Sequence, residues 1–508
     1  MEELKALVKV ISKNKVKKIE LIGDGSSSHS NYQKLYEKIS DDTLLTDEEG
    51  EAHFFAGSKN KAYYFSRLKK QLNERLLNTL FFIDVNQPNF TEYQKAYYSC
   101  YKAATATKIL LGKHARLPAV KLAEKTLKHA IKFELTDIIL LLSKDLRFHY
   151  GGITGNRSKY DYYNNLVIQY AALFNAELLA EEYYTQIGIN FINSAATKPE
   201  IIALSEKYSN ELSQLAKKHD SYWFNLVCYN VFAARYEIAN DYKNTIKVCE
   251  KALASFEQKA HIATNIAKFT FLIKILTAQI YLKHFDEIEG SIHKCLSLIP
   301  RGSMNWYFTY DFYMIYLFHS RQFNKAFEIF KKVTSDSSYK SQYKHISEHW
   351  IIYEAFIQYF NLIGKIDLTG EKLHQKFRIS KFLNEVPTYS KDKRGTNITI
   401  IILQILFLLQ QKKHGEIIDR MESLQTYTHR YLRQDDTFRS NCFIKMLLCL
   451  PAASFHKKAV LRKADKYWKK LQSVPLEEAN QSTEMEIVPY EMLWEFVLEE
   501  LDEKWYGV

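Results

Sequence analysis

Glycine and proline are scarce in this chain, with 16 glycines and 8 prolines among 508 residues, whereas the two together usually make up roughly 12% of a sequence. Sheet-rich folds, collagen-like repeats and proline-rich linkers all need many more of these residues. Apolar residues (46%) and charged residues (25%) are close to globular averages, which excludes disorder over most of the chain. The sequence therefore predicts an all-α protein of long helices and short loops.

Breaks in the helical pattern divide the chain into five segments. The glycine-rich stretch 149–157 and the stretch 384–397 are the predicted internal boundaries. In order, we expect an irregular N-terminal segment (1–57), an N-terminal helical module (58–148), two blocks of helical repeats (158–383 and 398–474) and an acidic C-terminal helix (475–508). Within the first segment the pattern favours one or two short helices, a polar loop at 23–30 and an acidic turn at 41–51.

Helix signals are clear at the start of the second segment. Apolar residues recur every three or four positions, at Phe65, Leu68, Leu72, Leu76 and Leu80. This spacing predicts a helix with Ser58 as its N-cap and an end near Asp84. Thr91 followed by Gln94 predicts a capping box that begins the next helix.

The net charge of +12 is unevenly distributed. Residues 475–508 hold ten acidic residues and one lysine, which leaves a charge of +21 on residues 1–474. Such a basic body favours acidic partners, including nucleic acid, an acidic protein or an anionic membrane surface. Dispersed lysines on a solubilising surface are the alternative, and a run such as the one at 457–470 is usually a solvated helix face.

Three features predict a cytoplasmic protein without a membrane segment. The first ten residues alternate charged and apolar side chains, unlike a secretory signal. The longest apolar stretch, Ile398–Leu409, is shorter than the ~20 residues that span a bilayer, and we expect it to be a buried helix. The six cysteines occur singly, so neither a disulfide framework nor a zinc module is indicated.

One region has a self-similar pattern of aromatic and small residues. Tyr229, Phe232 and Tyr236 surround the small residue Ala233, and the next predicted helix carries Ala252. Small side chains let two antiparallel helices approach closely, and the aromatic rings fill the seam between them. The pattern resembles a tetratricopeptide repeat, because Tyr229, Phe232, Ala233 and Ala252 stand where that family prefers Trp, Leu, Gly and a second small residue.

Partial copies of this pattern follow. Residues 285–300 resemble a second helix closed by a proline, and residues 323–330 resemble another. Leu276 and Met314 replace the small residue in the corresponding first helices, and residues 414–421 are a weaker echo. Since the copies are longer than the family's roughly 34 residues, the repeats are degenerate.

The resemblance implies a right-handed α-solenoid of antiparallel helix pairs, whose concave face usually binds a peptide or protein segment. We therefore expect a non-enzymatic scaffold or regulatory adaptor with a protein or peptide partner. The sequence indicates neither a cofactor nor an oligomeric state. Carried over from the family, the groove-facing positions of the first and third copies are Asn230, Ala234, Glu237, Asp311, Ile315 and Phe318.

Nucleic acid is the alternative partner. The chain has 35 tyrosines and 31 phenylalanines, and lysines interleaved with groove tyrosines would neutralise and stack on single-stranded RNA or DNA. Packing of most of these rings in the core explains the same abundance. Both explanations remain open at the level of the sequence.

The sharpest catalytic pattern is His345-Ile-Ser-Glu348-His349, which matches the H-x-x-E-H signature of inverted zinc peptidases. The two histidines are one helical turn apart, so both could bind one zinc ion with Glu348 as the base. No third ligand stands out, and the motif continues into an ordinary apolar helix at 350–353. A metallopeptidase is therefore a remote alternative, and we expect the histidines to be surface or groove residues.

The C-terminal residues predict an acidic amphipathic helix. Apolar residues including Trp494 and Leu498 share one face, while acidic residues including Glu495 and Glu499 cover much of the remainder. One interpretation is a terminal cap with a polar outer face, which solenoids require. The other is an autoinhibitory lid over the basic concave face, which a partner would displace.

Overall fold

The structure is a computed structural model that describes residues 1–13, 31–41, 43–44, 46–85, 90–192, 198–339, 344–368, 379, 382, 396–421, 438–479 and 486–501. Within these residues the regular secondary structure is entirely helical, which confirms the all-α class. The contacts divide the chain into two compact units, 1–175 and 176–508. Most of the predicted boundary at 384–397 lies outside the described residues.

Within its described residues, the first unit contains seven α-helices and the beginning of an eighth. Their bounds are α1 Glu2–Lys13, α2 Asn31–Ser40, α3 Asp47–Phe55, α4 Lys61–Leu80, α5 Glu92–Gly112, α6 Arg116–Lys132, α7 Thr136–Phe148 and α8 Arg157–Ile192. A π-helical turn, His149–Ile153, occupies the glycine-rich stretch before α8. The division between the units falls within α8, not at that stretch.

The N-terminal segment holds three helices, α1, α2 and α3, packed against α4 around buried residues such as Leu35 and Phe65. The region predicted as an acidic turn is instead the helix α3. Thr46 caps this helix through a capping box with Glu49, and the helix dipole stabilises acidic residues in a first turn. The expectation of one or two helices is therefore too low, and the polar loop at 23–30 lies outside the described residues.

The next two helices follow the sequence signals closely. α4 buries its predicted apolar face, although it begins at Lys61 and ends at Leu80, so that Ser58 and Asp84 lie outside it. Asn60 takes the N-cap position without a side-chain cap hydrogen bond. The capping box at the start of α5 is confirmed by both reciprocal hydrogen bonds between Thr91 and Gln94, at 3.2 and 2.9 Å.

The part of the second unit that the structure describes contains the rest of α8 and thirteen further numbered helices. Their bounds are α9 Lys198–Leu215, α10 Tyr222–Ile238, α11 Tyr242–Gln258, α12 Asn265–Tyr281, α13 Phe285–Leu298, α14 Met304–His319, α15 Phe323–Thr334, α16 Lys344–Leu362, α17 Thr396–Gln410, α18 Phe438–Leu447, α19 Cys449–Ala452, α20 Lys457–Gln472 and α21 Tyr490–Glu499. Residues 414–421 are also helical. From α9 to α17 each numbered helix mainly contacts its neighbours in the chain.

Helices α10 to α15 form three consecutive hairpins, each with a first helix (α10, α12, α14) and a second helix (α11, α13, α15). Ala233 and Ala252 are completely buried in the first hairpin, as the small-residue pattern predicts. An ion pair between Glu237 and Lys274 (2.5 Å) joins two successive first helices. These contacts fit a solenoid-like stack of helix pairs.

Left-handed residues form the turns inside these hairpins. Asn240, Lys283 and Arg321 have φ of 56°, 57° and 59°, and Lys412, after α17, has φ of 57°. Only a few per cent of residues other than glycine adopt this conformation. Each turn therefore uses a short left-handed connection, and most of these connections carry a basic side chain.

The C-terminal half of the second unit has a continuous hydrophobic core. α14, α16 and α17 are apolar around most of their circumference and are buried on nearly every side, as expected for helices in the centre of a fold. The prediction that 398–409 forms a buried helix is confirmed by α17. No helix in the described part of the chain is long and apolar enough to cross a membrane.

Candidate functional site

The hairpin turns of the second unit lie along an edge that is covered by the chain's own C-terminal residues. We call this the turn edge and define it by Asn240, Lys283, Arg321, Lys365 and Lys412. We call residues 475–508 the C-terminal segment, of which 475–479 and 486–501 are described. Contacts between the two join parts of the chain that are as much as 239 residues apart.

Successive turns bind successive parts of the C-terminal segment through polar contacts. The Asn240 amide donates hydrogen bonds to the main-chain oxygens of residues 478 and 479, both at 3.3 Å. Arg321 pairs with Glu495 at 2.5 Å, and Lys365 pairs with Glu499 at 3.0 Å. The acidic residues of the segment therefore neutralise cations at the turns.

The apolar face of α21 is part of the hydrophobic core. Leu493, Trp494, Phe496 and Val497 are at most 3% exposed, while Leu498 is partly buried against the same core. Complete burial of such a side chain contributes roughly 1.5–3 kcal/mol, whereas an exposed ion pair contributes at most ~1 kcal/mol. Because apolar burial dominates the attachment of α21, the packing favours the cap interpretation over a displaceable lid.

A buried arginine fixes the start of α21. Arg439, 1% exposed, donates to both carboxylate oxygens of Glu486 at 2.9 and 2.7 Å and to Glu491 at 2.8 Å. It also donates to the main-chain oxygens of Leu471 (3.2 Å) and Val474 (2.8 Å). The Glu486 side chain is completely buried, so this arginine holds the end of α20 and the C-terminal segment together.

A buried histidine lies next to this arrangement. His319 Nε2 is 3.0 Å from the main-chain oxygen of Glu486, and burial lowers the pKa of His319 to about 4. An open cavity of about 280 Å³ adjoins it, lined in part by Lys283, Arg321, Glu491 and the histidine itself. Since Arg439 binds Glu491 and Glu495 binds Arg321, the cavity combines paired charges with the additional cation of Lys283.

The predicted groove positions of the first hairpin are mostly covered. Asn230 and Ala234 are each 9% exposed, and the Asn230 amide donates a hydrogen bond to the main-chain oxygen of Leu226. Glu237 is bound to Lys274 on the next first helix. Asn230 and Ala234 are therefore nearly buried, and Glu237 connects two successive first helices.

The predicted groove positions of the third hairpin lie still deeper. Ile315 is 1% exposed and Phe318 is completely buried, with the Phe318 ring packed against the rings of Tyr353 and Phe360. Asp311 is partly buried on the same helix. Because α16, α17 and α21 belong to the same core, Ile315 and Phe318 have almost no surface to offer a partner.

The zinc-peptidase motif is only partly described. His349 lies on α16, 3.0 Å from the hydroxyl oxygen of Tyr353, and burial lowers its pKa to about 4. The side chains of His345 and Glu348 lie outside the described residues. Among the side chains that are described, no three His, Cys, Asp or Glu residues lie close enough together to hold a metal ion.

A second edge of the hairpins exposes large apolar side chains. Trp223, Ile266 and Met304 are 44%, 54% and 49% exposed, and each lies in the first turn of a first helix. Phe308, one turn further along α14, is also exposed. We call these four residues the apolar edge.

Contacts between successive first helices connect the elements that carry the apolar edge. The hydroxyl of Tyr222, next to Trp223, accepts a hydrogen bond from the main-chain nitrogen of Thr264, the N-cap of α12. α12 in turn contacts α14. Sequence reasoning missed this edge, although a signal exists, since Trp223, Ile266 and Met304 each follow a Ser or Thr N-cap by one or two positions.

Comparisons of the chain with protein-family models, curated proteins and solved structures gave no match.

Proposed function

We propose that this chain is a non-enzymatic scaffold or regulatory adaptor of the cytoplasm, built as a right-handed, tetratricopeptide-like solenoid, and that it binds a protein or peptide segment. The observation that carries the proposal is the apolar edge, where equivalent positions of three successive hairpins expose large apolar side chains. Exposed apolar side chains that recur on neighbouring elements are typical of protein interaction sites. All six cysteines are buried and unpaired with one another, in keeping with a reducing compartment.

Packing within the first hairpin supports the repeat type. The complete burial of Ala233 and Ala252 allows α10 and α11 to approach closely, and the Asp241 side chain caps α11. Ion pairs Glu237–Lys274 and Glu289–Lys325 link first helix to first helix and second helix to second helix. Regular stacking of this kind is how helical repeats build an extended binding surface.

The charge beside the apolar edge indicates the partner's chemistry. Lys217 and Lys218 precede α10, and Lys268 lies in the first turn of α12. Among the described residues, neither Lys218 nor Lys268 has an ion-pair partner. We therefore infer a partner segment that combines apolar side chains, for the edge itself, with acidic side chains, for the surrounding lysines.

Selection from a random peptide library against the full chain tests this proposal. Enriched peptides should combine apolar and acidic residues, and the double variant Ile266→Glu, Met304→Glu should weaken their binding at least about tenfold by isothermal titration calorimetry. A glutamate in the first turn of a helix is favourable for the fold, so the variant should remain folded.

The matched control is Ile418→Glu, at a residue that is also exposed (52%) but lies outside the three hairpins. It should leave peptide binding within about twofold. Peptides that bind the double variant as tightly as the unmodified chain would remove the apolar edge as the binding site.

A further inference from the structure

Helix α20 carries an unusually dense positive charge on its exposed surface. Seven of its residues are lysine or arginine and one is acidic. Lys458, Arg462 and Lys466 follow one another at intervals of four residues, and Lys469 and Lys470 extend the same side of the helix. All five are exposed. We call these five residues the basic face of α20.

Little within the described structure neutralises the basic face. Asp465 pairs with Lys469 at 2.8 Å, and the Lys466 ammonium lies over the Tyr467 ring at 4.6 Å. Among the described residues, neither Lys458, Arg462 nor Lys470 has an ion-pair partner. Like charges four residues apart on a helix repel one another, so the arrangement opposes the stability of the isolated fold.

The chain's own acidic segment does not compensate this charge in the described contacts. Glu486 and Glu491 bind Arg439, Glu495 binds Arg321 and Glu499 binds Lys365. These four carboxylates are thus committed to the turn edge and to the buried arginine, and no ion pair in the described part of the C-terminal segment reaches the basic face of α20.

The helix is held firmly on its opposite side. Val460, Ala464 and Leu471 are at most 1% exposed, and α20 packs on α18 and α19. At a rise of ~1.5 Å per residue, the cations from Lys458 to Lys470 extend over about 18 Å. The result is a rigid row of positive charges with no broad exposed apolar strip, since Leu461 is the exposed large apolar residue of α20.

We propose that the basic face of α20 binds the phosphate backbone of a nucleic acid. A linear row of cations can lie along the row of phosphates of a strand, and binding to a polyphosphate backbone gains affinity from the release of counterions. The inference goes beyond the proposed peptide-binding function, because it involves a different surface. The Tyr467 ring is half-buried and covered by the Lys466 ammonium, so the face supplies backbone contacts without base readout.

Fluorescence anisotropy with the full chain and a short labelled single-stranded RNA of mixed sequence tests the proposal. The triple variant Arg462→Gln, Lys466→Gln, Lys469→Gln changes only exposed side chains and should lower affinity at least about tenfold at low salt. The slope of log affinity against log salt concentration should fall by about 2, because each lost phosphate contact on a single strand removes ~0.7.

The matched control removes the same charge from α6 in the first unit, through Lys121→Gln, Lys125→Gln, Lys128→Gln, which are also exposed. It should retain the affinity within about twofold. Equal losses in the two triple variants would show that total charge, not α20, determines binding and would overturn the proposal. Equally tight binding of a labelled poly-glutamate peptide of the same charge would also overturn it, in favour of an acidic protein partner.

Discussion

Arg439 gives the sharpest test of how the C-terminal segment is held. Replacing it in the variant Arg439→Met preserves much of the side-chain volume but removes the guanidinium. Glu486, whose side chain is completely buried, then loses both hydrogen bonds from the guanidinium and keeps the one from the main-chain nitrogen of Tyr490 at 3.0 Å. The main-chain oxygens of Leu471 and Val474 lose the guanidinium as a donor as well, although Leu471 still accepts from the main-chain nitrogen of Val474 at 3.3 Å.

The expected loss follows from leaving a buried charge without its partner. Breaking a buried ion pair on one side typically costs about 3–5 kcal/mol of unfolding free energy, and we expect about 4 kcal/mol for Arg439→Met at about pH 7. The double variant Arg439→Met, Glu486→Leu removes both charges and should recover at least half of this loss. Arg462→Met, an exposed arginine on α20, is the control and should change stability by no more than about 0.5 kcal/mol.

The loss should also depend on pH with a defined sign. In Arg439→Met, burial without the opposite charge of the guanidinium raises the pKa of Glu486 above the ~4.3 of an unfolded glutamate. The folded variant then binds a proton that the unfolded chain does not, so its deficit should shrink as the pH falls from about 7 to about 5.

The assay is urea denaturation followed by far-ultraviolet circular dichroism, together with hydrogen exchange of the α21 amides as a local probe. Exchange of these amides should accelerate in Arg439→Met and return towards the original rate in the double variant. A stability loss below about 1 kcal/mol with unchanged α21 exchange would refute the reasoning.

Three further predictions concern the second unit. Deleting 475–508 should expose the core beneath α21 and cause aggregation, detected by size-exclusion chromatography. Glu495→Gln, which removes a surface ion pair alone, should leave the elution unchanged and lower the free energy of unfolding by at most ~1 kcal/mol. A deletion variant that stays monomeric and binds its partner more tightly would instead favour the lid. Because the pKa of His319 falls to about 4 on folding, the contribution of neutral His319 to the free energy of unfolding should be lost as the pH drops from about 6.5 to about 4, up to roughly 3 kcal/mol. In His319→Gln, the urea concentration at the midpoint of denaturation should therefore change less with pH over that range. Ala252→Leu should destabilise by about 1–3 kcal/mol through overpacking, while the exposed neighbour Lys251→Leu should stay within about 0.5 kcal/mol by thermal denaturation.

The helix content was predictable because its signals are local. The capping box at Thr91 and the apolar run of α17 each depend on residues within a few helical turns of one another. The scarcity of glycine and proline likewise needs no contact between distant residues to favour helices. The N-terminal region shows the limit of such reasoning, since a cluster of acidic residues after Thr46 favours a loop by composition but a helix start by capping. Because these acidic residues directly follow the N-cap Thr46, they form the first turn of a helix and not a loop.

The surfaces were harder to predict than the helices. Ile315 and Phe318 occupy groove positions in the repeat pattern, yet they are buried because helices much later in the chain belong to the same core. The carboxylate of Glu486 carries no local sign that it will be buried opposite Arg439. Burial of this kind depends on contacts between distant residues, which residue periodicity does not encode.

The path of the C-terminal segment has a consequence for how the protein is made. Asn240 leaves the ribosome 238 residues before its partner Glu478. At about 5–20 residues per second, roughly 10–50 seconds of synthesis separate the two. During that interval the hairpins are synthesised one after another without the segment that covers their turns and completes their core, so the nascent chain exposes apolar surface. Because the C-terminal segment is synthesised after every hairpin turn that it contacts, its synthesis determines when the second unit can finish folding.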